Sequence, residues 1–154
     1  MTLTVEVQLA VDGATVPSRQ EFTAWARAAW RDGAQDAEVV VRVTDEAESR
    51  RLNHDYRGAD KATNVLSFGF DPLPGMEFHH IGDVVICAPV VEREAREQGK
   101  RPQAHWAHMV VHGMLHLQGY DHETDQQADD MEALETNILA GLGYPAPYTS
   151  DETI

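Results

Sequence analysis

The sequence has a single cysteine, no long hydrophobic run and no Lys or Arg after Arg101. Cys87 alone can form neither an internal disulfide nor a thiolate metal site, so we expect a small buried apolar residue. No stretch approaches the roughly 18 apolar residues of a membrane span. The N-terminal stretch MTLTVEVQLAVDG lacks the basic and apolar regions of a signal peptide and is typical of a first strand. We therefore expect a cytoplasmic protein with no membrane partner.

The chain is also poor in positive charge, with 12 Lys and Arg against 26 Asp and Glu and a net charge of -14. Nine of the acidic residues follow Arg101. Such a chain is a poor general binder of nucleic acid, because that affinity comes largely from cations that neutralise phosphates. RNA binding would require a local basic patch, with the acidic C-terminal part facing away from the RNA. The candidate clusters are Arg50, Arg51, Arg57 and Lys61, and Arg93, Arg96, Lys100 and Arg101, although charge alone favours solvated helix faces.

The length of 154 residues fits one domain spanning residues 1–154. Hydrophobic periodicity predicts strands at 4–11, 37–44, 64–70 and 82–88. Helices are predicted at 17–30, 45–57, 89–99 and 102–118, and after a capping box formed by Thr124 and Gln127. The fold class is α+β, with a small mixed β-sheet of about four strands and about five helices. The candidate core residues are Phe22, Trp25, Ala26, Ala29, Trp30, Trp106, Met109, Val110, Leu117, Met131, Leu134, Ile138 and Leu142.

Residues 112–122, HGMLHLQGYDH, combine three histidines with a glycine. His112 and His116 are four residues apart, so on a helix they project from one face and can share a metal ion. Gly119 can end the helix and turn the chain, which would bring His122 to the same ion. Three protein ligands leave one coordination position for water, as is typical of catalytic zinc sites. The alternative, histidines that only form hydrogen bonds, is less favoured because the glycine lies where the turn requires it.

Other polar residues of this segment admit more than one role. His105 and His108 share the helical stripe of His112, and we expect them to line the groove or bond to neighbours rather than bind the metal. Asp121 and Glu123 flank His122, and they can support the ligands, act as a base or simply solvate a turn. The sequence alone leaves these alternatives open.

Gly113 argues against the simplest zinc hydrolase. In zinc peptidases the residue after the first histidine is the glutamate that activates water, and this spacing of three histidines is otherwise the metzincin pattern. Because the three histidines are present and the glutamate base is missing, a peptidase is disfavoured. Hydrolysis would depend more on the metal, which lowers the pKa of water. Three imidazoles prefer zinc but also suit nickel or cobalt.

The same segment, preceded by WAHMVV and followed by MEALE and LGYPAPY, resembles the YbeY family of bacterial single-strand-specific endoribonucleases and rRNA maturation factors. Upstream, LNHDYRGADKATNVLSF at 52–68 and GDVVIC at 82–87 resemble two further motifs of the family, in the family's order. The resemblance covers the middle and C-terminal two-thirds of the chain. The first 45 residues are similar only in their order of strand, helix and strand.

The resemblance implies one Zn²⁺ ion per chain, held by His112, His116 and His122, with His112 counted among the catalytic residues. It also identifies Arg57 as the family's functional arginine, which can bind phosphate oxygens and stabilise the transition state. Lys61 is the second candidate for substrate binding. The predicted function is zinc-dependent cleavage of single-stranded RNA, in maturation of the 3′ end of small-subunit rRNA and in ribosome quality control. The predicted partners are rRNA and the ribosome or its small subunit with its proteins. The alternatives are a non-catalytic, metal-stabilised ribosome assembly factor and, third, a zinc peptidase.

Overall fold

A computed structural model describes residues 3–11, 16–31, 36–69 and 78–148. Within these ranges the α+β class is confirmed, with four strands and five helices. The elements follow in the order β1 (Leu3–Leu9), α1 (Arg19–Ala29), β2 (Asp36–Thr44), α2 (Glu46–Arg57), β3 (Val65–Gly69), β4 (Phe78–Cys87), α3 (Ala88–Glu97), α4 (Pro102–Leu117) and α5 (Asp125–Gly141).

The four strands form one mixed sheet in the order β1-β2-β4-β3. β1 pairs parallel with β2, β2 pairs parallel with β4, and β3 runs antiparallel to β4 at one edge. Residues paired across a sheet point to the same face. The pairing aligns Val7, Val41, Val84 and Ser67 in one row across the four strands. This row ends in a polar residue at the β3 edge, which is where the candidate site lies.

Local sequence signals explain where the helices begin. Ser18 and Glu21 form a capping box at α1, and Thr124 and Gln127 form the predicted capping box at α5. Each box pairs orphan backbone N–H groups of the first turn with side-chain oxygens. Helix α4 begins with Pro102 in its first turn, a position that needs no hydrogen bond from the backbone nitrogen. The five helices were therefore predictable from local patterns, to within a few residues.

Helix α4 is the central helix, and it contacts α1, α3, α5 and the sheet strands β3 and β4. Most of its residues are buried, including Trp106, Val110 and Leu115. Of the predicted core residues, most are buried, while Trp30, Leu117, Leu134 and Leu142 are partly buried and pack against the core. Cys87 is buried as predicted, and this burial raises the pKa of its thiol. A buried central helix can hold side chains at its end with little freedom to move.

Strand β4 begins at Phe78, four residues earlier than the strand predicted from Gly82. Its register with β2 shifts where Glu38 pairs with His80 and Val39 pairs with Gly82. Such a bulge interrupts the alternation of side chains on which strand prediction depends. The end of the predicted strand 64–70 and the Pro-rich and Gly-rich segment after it lie outside the described residues. Among the described helices, none is long and apolar enough to span a membrane.

Candidate metal centre and its cleft

Three histidines converge where α4 ends. His112 and His116 lie on one face of α4, and their ring centroids are 4.6 Å apart. Gly119 has a φ of 97°, which ends the helix and turns the chain back. The His122 ring then lies 5.2 Å from His116 and 6.1 Å from His112. One ring nitrogen from each of the three lies within 4.8 Å of the others, so the group can hold a metal ion.

His112 is oriented by a buried carboxylate. Its Nδ1 lies 2.8 Å from Oε1 of Glu135, a residue of α5 that is fully buried. A carboxylate only accepts hydrogen bonds, so Nδ1 of His112 carries the hydrogen and Nε2 is the nitrogen that can bind a metal. Metal-bound histidines are commonly held by such a carboxylate, which fixes the tautomer and ring orientation. The arrangement therefore presents Nε2 of His112 as a metal ligand.

The carboxylate of Glu135 is itself held by other side chains. The hydroxyl of Tyr148 donates to Oε2 of Glu135 at 2.6 Å, and Nε2 of His108 lies 3.3 Å from the same oxygen. Burial alone would raise the pKa of Glu135, but the hydrogen bonds with His108 and His112 outweigh it and lower the pKa to about 2. Burial also raises the pKa of Tyr148, which stays a hydrogen-bond donor. Glu135 is thus ionised and fixed in place.

The remaining ligand candidates also suit a metal ion. Burial lowers the pKa of His116, and the neighbouring His112 and His122 lower it further. Neutral imidazole is the form that binds zinc. Three converging imidazoles, one oriented by a carboxylate, therefore fit a borderline-soft cation such as Zn²⁺. The assignment of His112, His116 and His122 as its ligands stays a prediction.

The three histidines line a cleft of about 680 Å³ at the edge of β3. Arg57 and Lys61 line the same cleft, at the end of α2 and in the loop that follows. Gly58 ends α2 with a φ of 72°, so the chain leaves the helix directly after Arg57. Distant segments of the sequence thus bring the predicted metal ligands and the predicted phosphate-binding side chains to one cleft.

The loop that carries Lys61 is fixed to α2 by buried polar side chains. The amide of Asn53 donates to the carbonyl of Lys61 at 2.9 Å. The hydroxyl of Ser49 both donates to the carbonyl of Thr63 and accepts its backbone N–H, each at 3.1 Å. These bonds set the spacing between Arg57 and Lys61.

The cleft contains only part of the two basic clusters. Among the described residues, Arg57 and Lys61 are the only Lys or Arg side chains that line it, and neither makes a side-chain hydrogen bond or ion pair with a described residue. By contrast, Arg50 pairs with Asp60 at 2.7 Å and Arg93 with Glu46 at 3.5 Å. The second cluster, Arg93, Arg96, Lys100 and Arg101, does not line the cleft.

Two acidic residues of the C-terminal part line the cleft, although the sequence suggested that these residues face away. Asp121 accepts the backbone N–H of His122 at 2.8 Å, so it stabilises the turn that returns His122. Glu123 is exposed beside it. Both acids accompany His122 because they are its neighbours along the chain.

Gly113 packs against the sheet and does not face the cleft. A Cβ atom there would lie 2.6 Å from Cγ1 of Val84 and 3.2 Å from Oγ of Ser67. The carbonyl of Gly113 accepts a hydrogen bond from Ser67 at 3.0 Å. A glutamate at this position would therefore collide with the sheet. Packing thus excludes the water-activating glutamate of zinc peptidases at position 113, and no residue of α4 takes its place.

His105 and His108 bond to neighbours. Nε2 of His105 lies 2.9 Å from Glu94, and burial lowers the pKa of His105. His108 belongs to a second group that can hold a metal, with His112 and Glu135. There, however, the hydroxyl of Tyr148 donates to both oxygens of Glu135. The second group therefore works as a hydrogen-bond network behind His112.

Sequence reasoning did not identify Glu135 or Tyr148 as parts of the site. A signal for Glu135 was present, because it lies four residues after Met131 and three before Ile138, on the apolar face of α5. An isolated acid on such a face needs a buried partner. Tyr148 follows the last helix and offered no comparable pattern.

Two comparisons with known proteins bear on this chain. Residues 12–143 match the family model described as Endoribonuclease YbeY. The structure is similar to the solution structure of TM1509 from Thermotoga maritima, with a TM-score of 0.51 and 21% sequence identity. The match covers 91% of this chain and 92% of that chain. The structural likeness concerns the fold alone, and the family match bears on activity.

Proposed function

Because this chain belongs to the YbeY family of endoribonucleases, we propose that it is a zinc-dependent enzyme that cleaves single-stranded RNA. Its proposed cellular role is maturation of the 3′ end of small-subunit rRNA and ribosome quality control in the cytoplasm. The ribosome or its small subunit would then be its partner. The family membership supports nuclease activity, and the arrangement of the cleft supports the finer assignment.

One observation carries the proposal: the cleft that holds the three histidines also holds Arg57 and Lys61, which pair with no acid in the described part of the chain. In a chain of net charge -14, these two cations give the cleft the local positive charge that RNA binding requires. Arginine presents a planar set of donors that matches the oxygens of a phosphate, and lysine adds a point charge. A phosphate in this cleft would be in reach of both the cationic side chains and the metal held by the histidines.

The residues of the chain have distinct proposed roles. Arg57 binds and orients the scissile phosphate and stabilises the negative charge that develops on it. Lys61 attracts the RNA backbone into the cleft. His112, His116 and His122 would hold the ion, and Glu135 keeps Nε2 of His112 directed to it. A zinc ion held there supplies Lewis acidity and makes water easier to deprotonate near neutral pH.

The proposal is tested by comparing cleavage of a single-stranded RNA by wild type, His112→Ala and Arg57→Ala, all purified free of contaminating nuclease. We expect both variants to lose at least about 100-fold in rate, because Arg57→Ala removes a donor that stabilises the transition state and His112→Ala removes a ligand of the proposed metal. Arg51→Ala removes the same charge from α2 outside the cleft and is the matched control, with near wild-type activity. Equal activity in wild type, His112→Ala and Arg57→Ala would contradict the proposal.

The same samples separate the enzyme from a non-catalytic assembly factor. If zinc removal unfolds the protein while the folded, zinc-loaded protein cleaves nothing, the metal is structural. For an enzyme, circular dichroism should instead show a folded protein without metal, because a buried core supports α4 independently of the ion. Cleavage should then return on addition of zinc.

A further inference from the structure

The most exposed large hydrophobic side chain among the described residues is Tyr56, at 67% exposure. It lies in the last turn of α2, directly before Arg57. Its hydroxyl makes no hydrogen bond with any described residue, whereas the hydroxyl of Tyr148 donates to Glu135. Neither burial nor hydrogen bonding within the described structure therefore accounts for this ring.

Tyr56 is nevertheless held in position by a second aromatic ring. Its ring centroid lies 5.0 Å from that of Phe68, with the planes inclined at 62°. In such an edge contact the two rings do not cover each other's faces completely. With most of Tyr56 exposed, the contact fixes the ring and leaves an aromatic face open to solvent.

The aromatic pair lies at the rim of the cleft. Arg57, which follows Tyr56, lines the cleft, and so do Ser67 and Gly69 on either side of Phe68. On strand β3 the side chains of Ser67 and Phe68 point to opposite faces. The pair therefore lies just around the β3 edge from the cleft, and Tyr56 directly precedes Arg57, the residue that is proposed to bind phosphate.

We propose that Tyr56, supported by Phe68, forms a stacking platform for a nucleobase of single-stranded RNA beside the phosphate bound by Arg57. This inference rests on the proposed function. An unpaired base offers its flat face to an aromatic ring, whereas a base within a duplex is already stacked on its neighbours. Stacking on aromatic side chains tolerates any base. The platform would thus favour single strands without demanding a sequence.

Binding of a short, fluorescently labelled single-stranded RNA to the zinc-loaded protein tests the platform, measured by anisotropy on ice with the RNA checked for integrity. We expect Tyr56→Ala to weaken binding at least about fivefold, and Tyr56→Phe to bind within about twofold of wild type. Tyr56→Leu keeps apolar packing on Phe68 but lacks a ring face, so it should bind as weakly as Tyr56→Ala. Leu9→Ala, which removes an exposed apolar side chain from the opposite edge strand, should bind like wild type.

A scan with abasic nucleotides identifies the stacked base. One or two abasic positions should weaken binding to wild type but cause no further loss with Tyr56→Ala. Unchanged binding by Tyr56→Ala, equal binding of all abasic RNAs, or no binding of RNA by wild type would each overturn the platform. The proposed function is rejected by a different result. If RNA binds through Tyr56 but is never cleaved in a zinc-dependent way, the nuclease proposal is wrong and the stacking platform remains supported.

Discussion

The carboxylate of Glu135 receives hydrogen bonds from His112 at 2.8 Å and from Tyr148 at 2.6 Å, with no exposure to solvent. We expect Glu135→Gln to weaken zinc binding by about 10- to 100-fold, the usual effect of changing a residue that orients a metal ligand. The amide keeps the shape but loses the charge that favours the Nδ1–H tautomer of His112. Competition with a chromophoric chelator measures this affinity without reference to activity.

The matched control for Glu135 is Asp129→Asn, which makes the same change of charge at an exposed position of α5. Its zinc affinity should equal that of wild type. Equal affinities of Glu135→Gln and wild type would show that His112 needs no buried carboxylate to bind the metal. Circular dichroism of each variant separates loss of affinity from loss of fold.

At the residue level, the part of the site that is local in sequence was predictable. His112, His116 and Gly119 occupy one helix and its end, so their geometry follows from helical spacing. Glu135 could not be located in the same way, because it reaches His112 from another helix, 23 residues along the chain. The packing of α5 on α4 decides that contact, and no pattern within either helix specifies it.

At the level of elements, α4 packs tightly against the sheet at Gly113. We expect Gly113→Ala to lower the free energy of unfolding by about 1 to 2 kcal/mol. The new methyl group would meet the fully buried Val84 at 2.6 Å, and overpacking of this kind costs about 1–3 kcal/mol. The gain in helix propensity, at most about 1 kcal/mol, offsets only part of this cost. Urea unfolding provides the measurement.

Gly141→Ala is the control for Gly113, because no atom lies within 4 Å of a Cβ built there. This change at the end of α5 should leave stability unchanged or raise it slightly. If Gly113→Ala were as stable as Gly141→Ala, the contact between α4 and the sheet would be looser than the structure shows.

The boundaries of the elements were predictable wherever the chain carries its own start and stop signals. Pro102 and Gly119 bracket α4, and Thr124 caps the start of α5. The start of β4 was not predictable in this way, because the register shift at Glu38 and Val39 breaks the alternation. Pairing with β2 fixes that part of the strand, and pairing partners are a property of the folded sheet.

At the scale of the whole molecule, acidic partners in the described part of the chain neutralise some of the cations outside the cleft but not the two that line it. Arg42, Arg50 and Arg93 each have an acidic partner, whereas Arg57 and Lys61 have none among the described residues. The sequence identified both basic clusters but could not distinguish paired from unpaired members. Such pairs join different elements, as Arg93 of α3 and Glu46 of α2 do, so they depend on the fold.

This arrangement predicts a weak dependence of RNA binding on salt. For single strands, the logarithm of the affinity falls with the logarithm of salt concentration with a slope of about -0.7 per phosphate neutralised. With two cations in the cleft of the metal-free protein, we expect a slope of about -1.4. Lys61→Ala should reduce its magnitude by about 0.7.

Arg96→Ala, an exposed member of the second cluster, should leave the slope unchanged, since Arg96 does not line the cleft. Anisotropy titrations over a range of salt concentrations measure the slopes, and an equal change for Arg96→Ala and Lys61→Ala would place the RNA on a broader basic surface than the cleft.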